Sequence, residues 1–480
     1  MRRIVKLCGI VAIICTAWFL LTSNGYMQWI ETQLRDHEPL NYQEYPTDRQ
    51  QKDLDEESNQ LGDYNTLHRQ ALSIALHLSG TLIGSASNWS LEMASRLIRM
   101  DELGGHAERR RRKLVRLGER FQKQLFQLQH PTNCSAARFV ETGLPTCGFG
   151  CQIHHIALAM QLAVATNRTL FVHGFDQTFH GLFLPLTNCI EIGINQSVIK
   201  QEFVNSAPVT PLFPPALPAE WASLLQPLHE SPYLWLRGHM IKYAIRLTDA
   251  TLSQQINTTI SSLRHEGYGQ VYVGIHIRRT DKLLGEASSF PVSSYIAPVD
   301  QYYKLVDACN ELKRTQNDAR RRNIFLASDE STVYSEARQK YSMYAFHEKG
   351  TTFQTNSDVN SRVTKEGIKS ICFDVMLLAH ADFLVCTFSS NVCRMAHALK
   401  QALNDHYGDR TQQTVSVDMS YYIIGSQESI WKVWLDYSPQ AKRGDLVTVY
   451  KYSRFASAQI NGTTWVPFFI LQEQLILLPP

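Results

Sequence analysis

The sequence predicts an α/β protein built on a doubly wound parallel sheet, followed by a small all-β barrel. Three observations carry this. Residues 271–282 (Val-Tyr-Val-Gly-Ile-His-Ile-Arg-Arg-Thr-Asp-Lys) read as a buried strand, 271–277, that stops on a cluster of charges. A short β-branched run bounded by Gly267 and Gly269 is typical of a central parallel strand. Similar runs at 323–327 and 383–386 alternate with helical patterns over 295–314, 366–379 and 391–403, which is the doubly wound rhythm. After residue 426 the pattern shortens to alternating segments at 431–435, 446–450, 465–471 and 475–478, with turns at Gly444-Asp445 and Asn461-Gly462.

At 480 residues the chain exceeds one typical domain. A net charge of +3 carries no polyanion signal, and no nucleic-acid partner is expected. Arg2, Arg3 and Lys6 precede an apolar run over 7–21. Counted from Ile4 it has roughly 18 residues, near the lower limit for a membrane-spanning helix. Positive charge before it predicts the N-terminus inside. A cleaved signal peptide competes, since Ser23 and Gly25 are small enough for a cleavage site; an uncleaved signal anchor over 1–25 is the preferred reading. Either one sends the chain into the secretory pathway. Sequons at Asn88, Asn133, Asn167, Asn195, Asn257 and Asn461 agree with that compartment. Of the ten cysteines, Cys8 and Cys15 lie in the apolar run, and the other eight face an oxidising space.

Residues 26–64 are polar and proline-punctuated, a flexible stem in which the Asp53 to Glu57 acids carry no weight as a metal motif. Over 65–130 apolar residues recur at three- and four-residue spacing, broken by Gly104-Gly105. This is a helical arm with no core of its own, for packing or dimerisation, and its basic block at 109–113 reads as a solvated face or a patch for an acidic partner. A first α/β domain spans 131–268. Its Cys147-Gly-Phe-Gly-Cys151 loop is glycine-rich enough to close a local bridge. A zinc half-site is the rival, discounted because no second close cysteine pair is near. His154-His155 lies on a helix running to Ala165, and 168–173 is a strand. The second α/β domain spans 269–405, a linker 406–425, and the all-β domain 426–480.

Ligands of open parallel sheets bind beyond the carboxyl ends of the strands. Arg278 and Arg279 stand at such an end, and arginine grips phosphate oxygens bidentately, so a diphosphate is the expected ligand. Residues 387–390 join a strand to a helix, where backbone amides can receive a phosphate.

Together these pieces resemble the eukaryotic α1,6-fucosyltransferases that core-fucosylate N-glycans. The resemblance covers roughly residues 95–480. It rests on His-Ile-Arg-Arg-Thr-Asp-Lys at 276–282 with Glu286, Ser-Asp-Glu at 328–330, Ala-Asp-Phe-Leu-Val-Cys-Thr-Phe-Ser-Ser at 381–390 with Val392-Cys-Arg394, and the Cys147–Cys151 loop followed by Gln152 to His155. It implies a GT-B-like pair of α/β domains with a Rossmann-type donor domain, a helical stem and an SH3-like barrel. It further implies a single-pass type II Golgi membrane protein with a lumenal catalytic domain. The donor would be GDP-β-L-fucose, the acceptor the innermost GlcNAc of an N-glycoprotein, with no cofactor and no metal; a homodimer through the arm is in keeping with it.

Carried over by position, Arg278 grips the diphosphate with Arg279 beside it, His276 and Asp374 recognise guanine, and Ser390 binds phosphate. Glu286 is the general base for the GlcNAc 6-hydroxyl and Lys282 polarises the same region. Asp281, Tyr295, Asp329 and Glu330 match supporting positions. A carboxylate base suits inverting transfer, and fixed arginine and lysine can stabilise departing diphosphate in place of a cation. The resemblance also pairs Cys134 with Cys189, Cys147 with Cys151 and Cys386 with Cys393. A further family bridge falls near Glu141 and at Ala159, where no cysteine stands. Cys309 and Cys372 are left unpaired or bridged to each other. The stem is short, the middle of the barrel diverges, and Leu144-Pro-Thr146 replaces an expected basic residue, so the departures lie on the acceptor side. Transfer to a chitin-like acceptor, or a silent glycan-binding protein, are the alternatives; retention of Glu286, Lys282 and Arg278 argues against silence.

Overall fold

The computed structural model describes residues 62, 64–76, 85–193, 196–201, 203–204, 207–208, 216–279, 289–313, 321–349, 361–403, 413–418, 430–434, 436–452, 457–467, 470–473 and 476–478. The expected anchor, nearly all of the stem and most of the linker lie outside these residues. Among the described residues no helix is long and apolar enough to cross a membrane.

Helices α1 (Ser85–Leu103) and α2 (His106–Gln129) form the arm. They part at Gly105, whose φ of 67° lies in the left-handed region that glycine enters without steric cost. Leu114, Gly118, Phe121, Leu125 and Gln129 form the buried stripe of α2, the spacing of an amphipathic helix. That stripe is covered from within the chain. Phe121 meets the Trp221 ring edge-on at 4.9 Å, and Ala94 and Leu97 of α1 cluster with Ala75 and Leu305. Within the basic block Arg110 bonds Asp101 at 2.6 Å, and Arg111 and Arg112 both grip Glu108.

A first parallel sheet has the order β2-β1-β3, from β1 (Phe139–Thr142), β2 (Thr169–Val172) and β3 (Val198–Gln201). Helix α3 (Phe149–Ala165) is mean apolar and buried over most of its length. It carries His154 and His155 and ends at Ala165 as expected, starting at Phe149 within the Cys147–Cys151 bridge.

The second sheet holds β4 (Gly267–Ile277), β5 (Arg321–Ser328), β6 (Tyr344–His347), β7 (Phe383–Cys386) and β8 (Thr414–Ser416), all parallel, in the order β8-β7-β4-β5-β6. The chain starts in the centre, runs outward to β6, then returns to the other side at β7. The strand order therefore reverses between β4 and β7, and that reversal opens a crevice at the carboxyl edge. Successive residues of β4 face opposite sides. Tyr272 joins the core formed with α4 (Pro232–Ala244), α5 (Ala250–His265), α8 (Lys365–His380) and α9 (Asn391–Leu403). Val273, Ile275 and Ile277 join the other, with α6 (Val292–Lys313) and α7 (Thr332–Lys340). Thr364 caps α8 by accepting from the Gly367 N–H at 3.1 Å.

The sequence reads two α/β units with a boundary at 268, yet one continuous core runs from Val140 and Leu170 through α3 and α4 to Met395 and Ala398 of α9. Gly238 lets α4 and α9 approach: a Cβ there would sit 2.1 Å from the Ala398 carbonyl oxygen.

The tail is antiparallel: β9 (Ile430–Val433), β10 (Leu446–Tyr452), β11 (Ser457–Ile460), β12 (Thr464–Pro467) and β13 (Leu471–Glu473), in the order β12-β11-β10-β9-β13. Among the described residues these five strands share one core, from Trp431 and Val433 to Val466, Ile470 and Leu471. The last segment, Ile476–Leu478, leaves it and pairs in parallel with Ala216–Pro218. Alternation cannot reveal that, because it gives each strand a face but no partner.

Substituting Gly238 by Ala is expected to cost about 1–3 kcal/mol or more, by forcing α4 off α9. A lower denaturant midpoint at unchanged slope is the expected reading; an unchanged midpoint would mean that the two helices separate freely.

Candidate functional site

The crevice between the ends of β4 and β7 is where the described candidates gather. His276 is the last but one residue of β4, 6% exposed, and its Nδ1 is buried without a hydrogen-bond partner among the described residues. Burial first, then the positive charge of Arg278, hold its pKa down at about 4, with Asp329 opposing. His276 shares its face of β4 with Tyr272, the face covered by α8. On α8 stands Asp374, 9% exposed. Its Oδ2 accepts from Lys349 at 2.7 Å, while its Oδ1 is buried without a partner among the described residues. Burial pushes this carboxyl up and Lys349 draws it back. A native fold rarely leaves such atoms unsatisfied. An imidazole nitrogen and a carboxylate oxygen on one side of a sheet suit a planar ligand carrying N–H donors and a carbonyl.

Arg278 and Arg279 part company. The Arg278 Nε lies 3.3 Å from Asp329 Oδ2, at the end of β5. The backbone N–H of Arg279 donates to Asp329 Oδ1 at 2.9 Å, so one carboxylate fixes both residues. The Arg279 guanidinium turns to the other side, donating to Glu336 at 3.4 Å and to the Phe290 carbonyl at 3.2 Å, with Glu330 at 3.8 Å. Arg279 thus braces the strand end against α7 and the start of α6. Glu330 accepts from the Thr332 hydroxyl at 2.6 Å. Tyr295, on α6, is buried; burial and Asp418 push its hydroxyl pKa upward, while Arg279 and a hydrogen bond with Thr387 pull the other way.

Ser390 is 3% exposed at the start of α9, and its N–H donates to the Thr387 carbonyl at 3.0 Å. The expectation that the amides of 387–390 meet a phosphate needs correcting at three positions, that of Ser390 and two more. Phe388 and Ser389 donate to the Asp418 carboxylate at 2.8 and 3.2 Å, and Ser416 donates to it at 2.8 Å. The Cys386–Cys393 bridge and the Arg394 bond to the Phe388 carbonyl at 3.0 Å clamp the same turn. The first α/β unit reaches this turn as well, where the His154 Nε2 contacts the Asn391 carbonyl at 3.1 Å.

Asp281, Lys282 and Glu286 fall within 280–288, outside the described residues. The remaining bridges are Cys134–Cys189 and Cys147–Cys151; Cys309 and Cys372 are not joined to each other. Among the described residues the only cluster with metal-ligand reach is Cys147, Cys151 and His155, and its two sulfurs are consumed by their bridge.

Comparison with known proteins gives the family. Residues 41–422 match the family described as alpha-(1,6)-fucosyltransferase N- and catalytic domains. The chain belongs to that family. It is 32% identical to an alpha-(1,6)-fucosyltransferase of Drosophila melanogaster over 381 residues, 74% of this chain and 59% of the relative. To one of Caenorhabditis elegans it is 30% identical over 350 residues, 68% of this chain and 60% of the relative. The chain thus spans about three fifths of the length of these curated relatives. A crystal structure of NodZ alpha-1,6-fucosyltransferase soaked with GDP-fucose is similar at 17% identity and a TM-score of 0.30, covering 55% of this chain and 93% of that one.

Two residues of the crevice escaped the sequence reading. Lys349 carries no local signal, since a lone lysine after a short strand looks like any solvated loop charge. Asp418 had one: it follows β8 at the carboxyl edge of a parallel sheet, where polar groups gather.

The histidine has a pH signature. In the unfolded chain its imidazole takes up a proton near 6.5, but in the fold only at about 4. The unfolded state binds more protons in between, so stability falls as pH drops through that window. A His276→Gln chain is expected to lose less stability between neutral pH and about pH 5 in urea titrations; an unaltered pH slope would mean that the ring is not held neutral.

Proposed function

We propose that this chain moves L-fucose from GDP-β-L-fucose to the 6-hydroxyl of the innermost GlcNAc of N-glycans, with inversion and without a metal ion. The observation that carries the donor half is the pair of buried atoms, His276 Nδ1 and Asp374 Oδ1, without partners among the described residues. Guanine offers two N–H donors beside a carbonyl oxygen. A carboxylate answers the first two, and the imidazole, protonated on Nδ1, answers the third. Arg278, held by Asp329 at the strand end, is the group for the diphosphate. Family membership supports fucosyl transfer.

The chemistry then needs a base on one side of the sugar and a stabilised leaving group on the other. Glu286 takes the proton of the acceptor hydroxyl as the bond to fucose C1 forms. The electron pair of the breaking bond goes to the β-phosphate oxygen, where Arg278 and Lys282 stabilise the growing charge. Asp329 positions Arg278 by meeting its Nε and by taking the Arg279 backbone N–H. The three disulfides and the sequon pattern favour a lumenal catalytic domain on a Golgi membrane, held by an anchor at 1–25.

The test is fucose transfer to a GlcNAc-terminated biantennary N-glycopeptide in EDTA, with linkage analysis. A 6-linked fucose on the innermost GlcNAc is the expected product, and Glu286→Gln is expected to slow it by roughly 10²-fold or more. Full turnover by Glu286→Gln would remove the base, and loss of activity in EDTA would remove the metal-free mechanism. GDP binding without product would move the acceptor elsewhere.

A further inference from the structure

Asp374 does not stand alone in its pocket. The Lys349 ammonium donates to its Oδ2 at 2.7 Å and to the Ser370 hydroxyl at 2.9 Å. The pair is buried, with side chains 6% and 12% exposed. A buried carboxylate without a cation takes up a proton, and a buried lysine without an anion gives one up. Lys349 therefore favours the ionised form of Asp374. The surrounding ionisable groups are His276 and Arg278 from β4, Asp329 after β5, Tyr334 from α7 and Cys372 from α8 itself. Against burial, which raises the Asp374 pKa, Lys349 is the group that lowers it.

The charge state of Asp374 decides which purine edge fits it. An ionised carboxylate offers two acceptors, the complement of the N1–H and N2–H donors of guanine. A protonated carboxyl offers one donor and one acceptor, the complement of adenine N1 and its N6–H. Lys349 bonds Oδ2 alone, so Oδ1 stays open, and Oδ2 keeps a second lone pair for the base.

We propose that Lys349 is the positioning residue of the base subsite: it fixes Asp374 as a two-acceptor edge and thereby selects a guanine over an adenine nucleotide. This rests on the donor reading given above. Lys349 itself touches neither base nor sugar and acts through Asp374.

Calorimetric titration of GDP and ADP into the full chain, from about pH 6.5 to about 8.5, tests it. Wild type is expected to prefer GDP throughout, by a ratio that does not move with pH. In Lys349→Met the Asp374 pKa rises unopposed, so GDP binding relative to wild type is expected to weaken at least about tenfold from the upper to the lower end of the range. Its preference for GDP over ADP collapses in parallel. Asp374→Asn, a permanently neutral donor–acceptor edge, is expected to show the collapsed ratio at every pH. Lys349→Arg, which keeps the charge, is expected to keep the flat profile. If Lys349→Met matches wild type, or loses GDP by one constant factor at all pH values, the proposal is overturned and the donor reading stands. Wild type that binds no GDP overturns both.

Discussion

The pleat of β4 sends neighbouring side chains to opposite faces of the sheet, and the arrangement of the crevice follows from it. His276 falls on the face covered by α8, where Asp374 waits; Arg279, three residues on, falls on the face of α6 and α7 and is taken up by Glu336 and the Phe290 carbonyl. Between them Arg278 lies on the side of His276 and meets Asp329. A one-residue slip of this strand would exchange these environments, placing an isoleucine where His276 stands and sending the imidazole to the face of α6. Register is protected by pairing on both sides, Val273 with Phe383 and Ile324, and Ile275 with Val385 and Leu326.

Around that strand the crevice is assembled from carboxylates that bond backbone as well as side chains. Asp329 takes the Arg279 amide and the Arg278 side chain; Asp418 takes the amides of Phe388 and Ser389. Each joins two strand ends that have no covalent link nearby. Charge-assisted bonds of this kind are stronger than neutral ones, and they hold a site rigid where loops would otherwise move. The Cys386–Cys393 bridge serves the same turn by covalent means. Rigidity extends outward through Gly238, because α9 begins in the crevice and is packed along its length on α4.

Much of this was legible locally. The strands at 383–386 and around 271–277, the helix at 391–403 and the break at Gly104-Gly105 follow from two- and 3.6-residue periodicities and from glycine, all properties of short windows. The candidate residues His276, Arg278 and Ser390 stood out because they sit in motifs at strand ends, while Asp374, inside α8, came only from the family resemblance. What escaped was partnership. Lys349 lies 25 residues from Asp374, and Asp418 lies 30 from Phe388, with a helix or a strand between. The last strand escaped for the same reason: Ile476–Leu478 was read with the barrel, while it pairs beside Ala216–Pro218.

The sequence by itself determined the α/β class, the alternation that gives each strand its faces, the charges at the end of β4 and the family to which they belong. Those depend on neighbours within a few residues, where covalent geometry dictates spacing. Only the tertiary structure decided that the arm is docked on its own chain, that the two α/β units share one core, that Arg279 braces while Arg278 faces the crevice, and that a lysine holds Asp374. Those outcomes depend on which surfaces meet when apolar area leaves water, and a buried charge accepts only a partner that packing brings within about 3 Å.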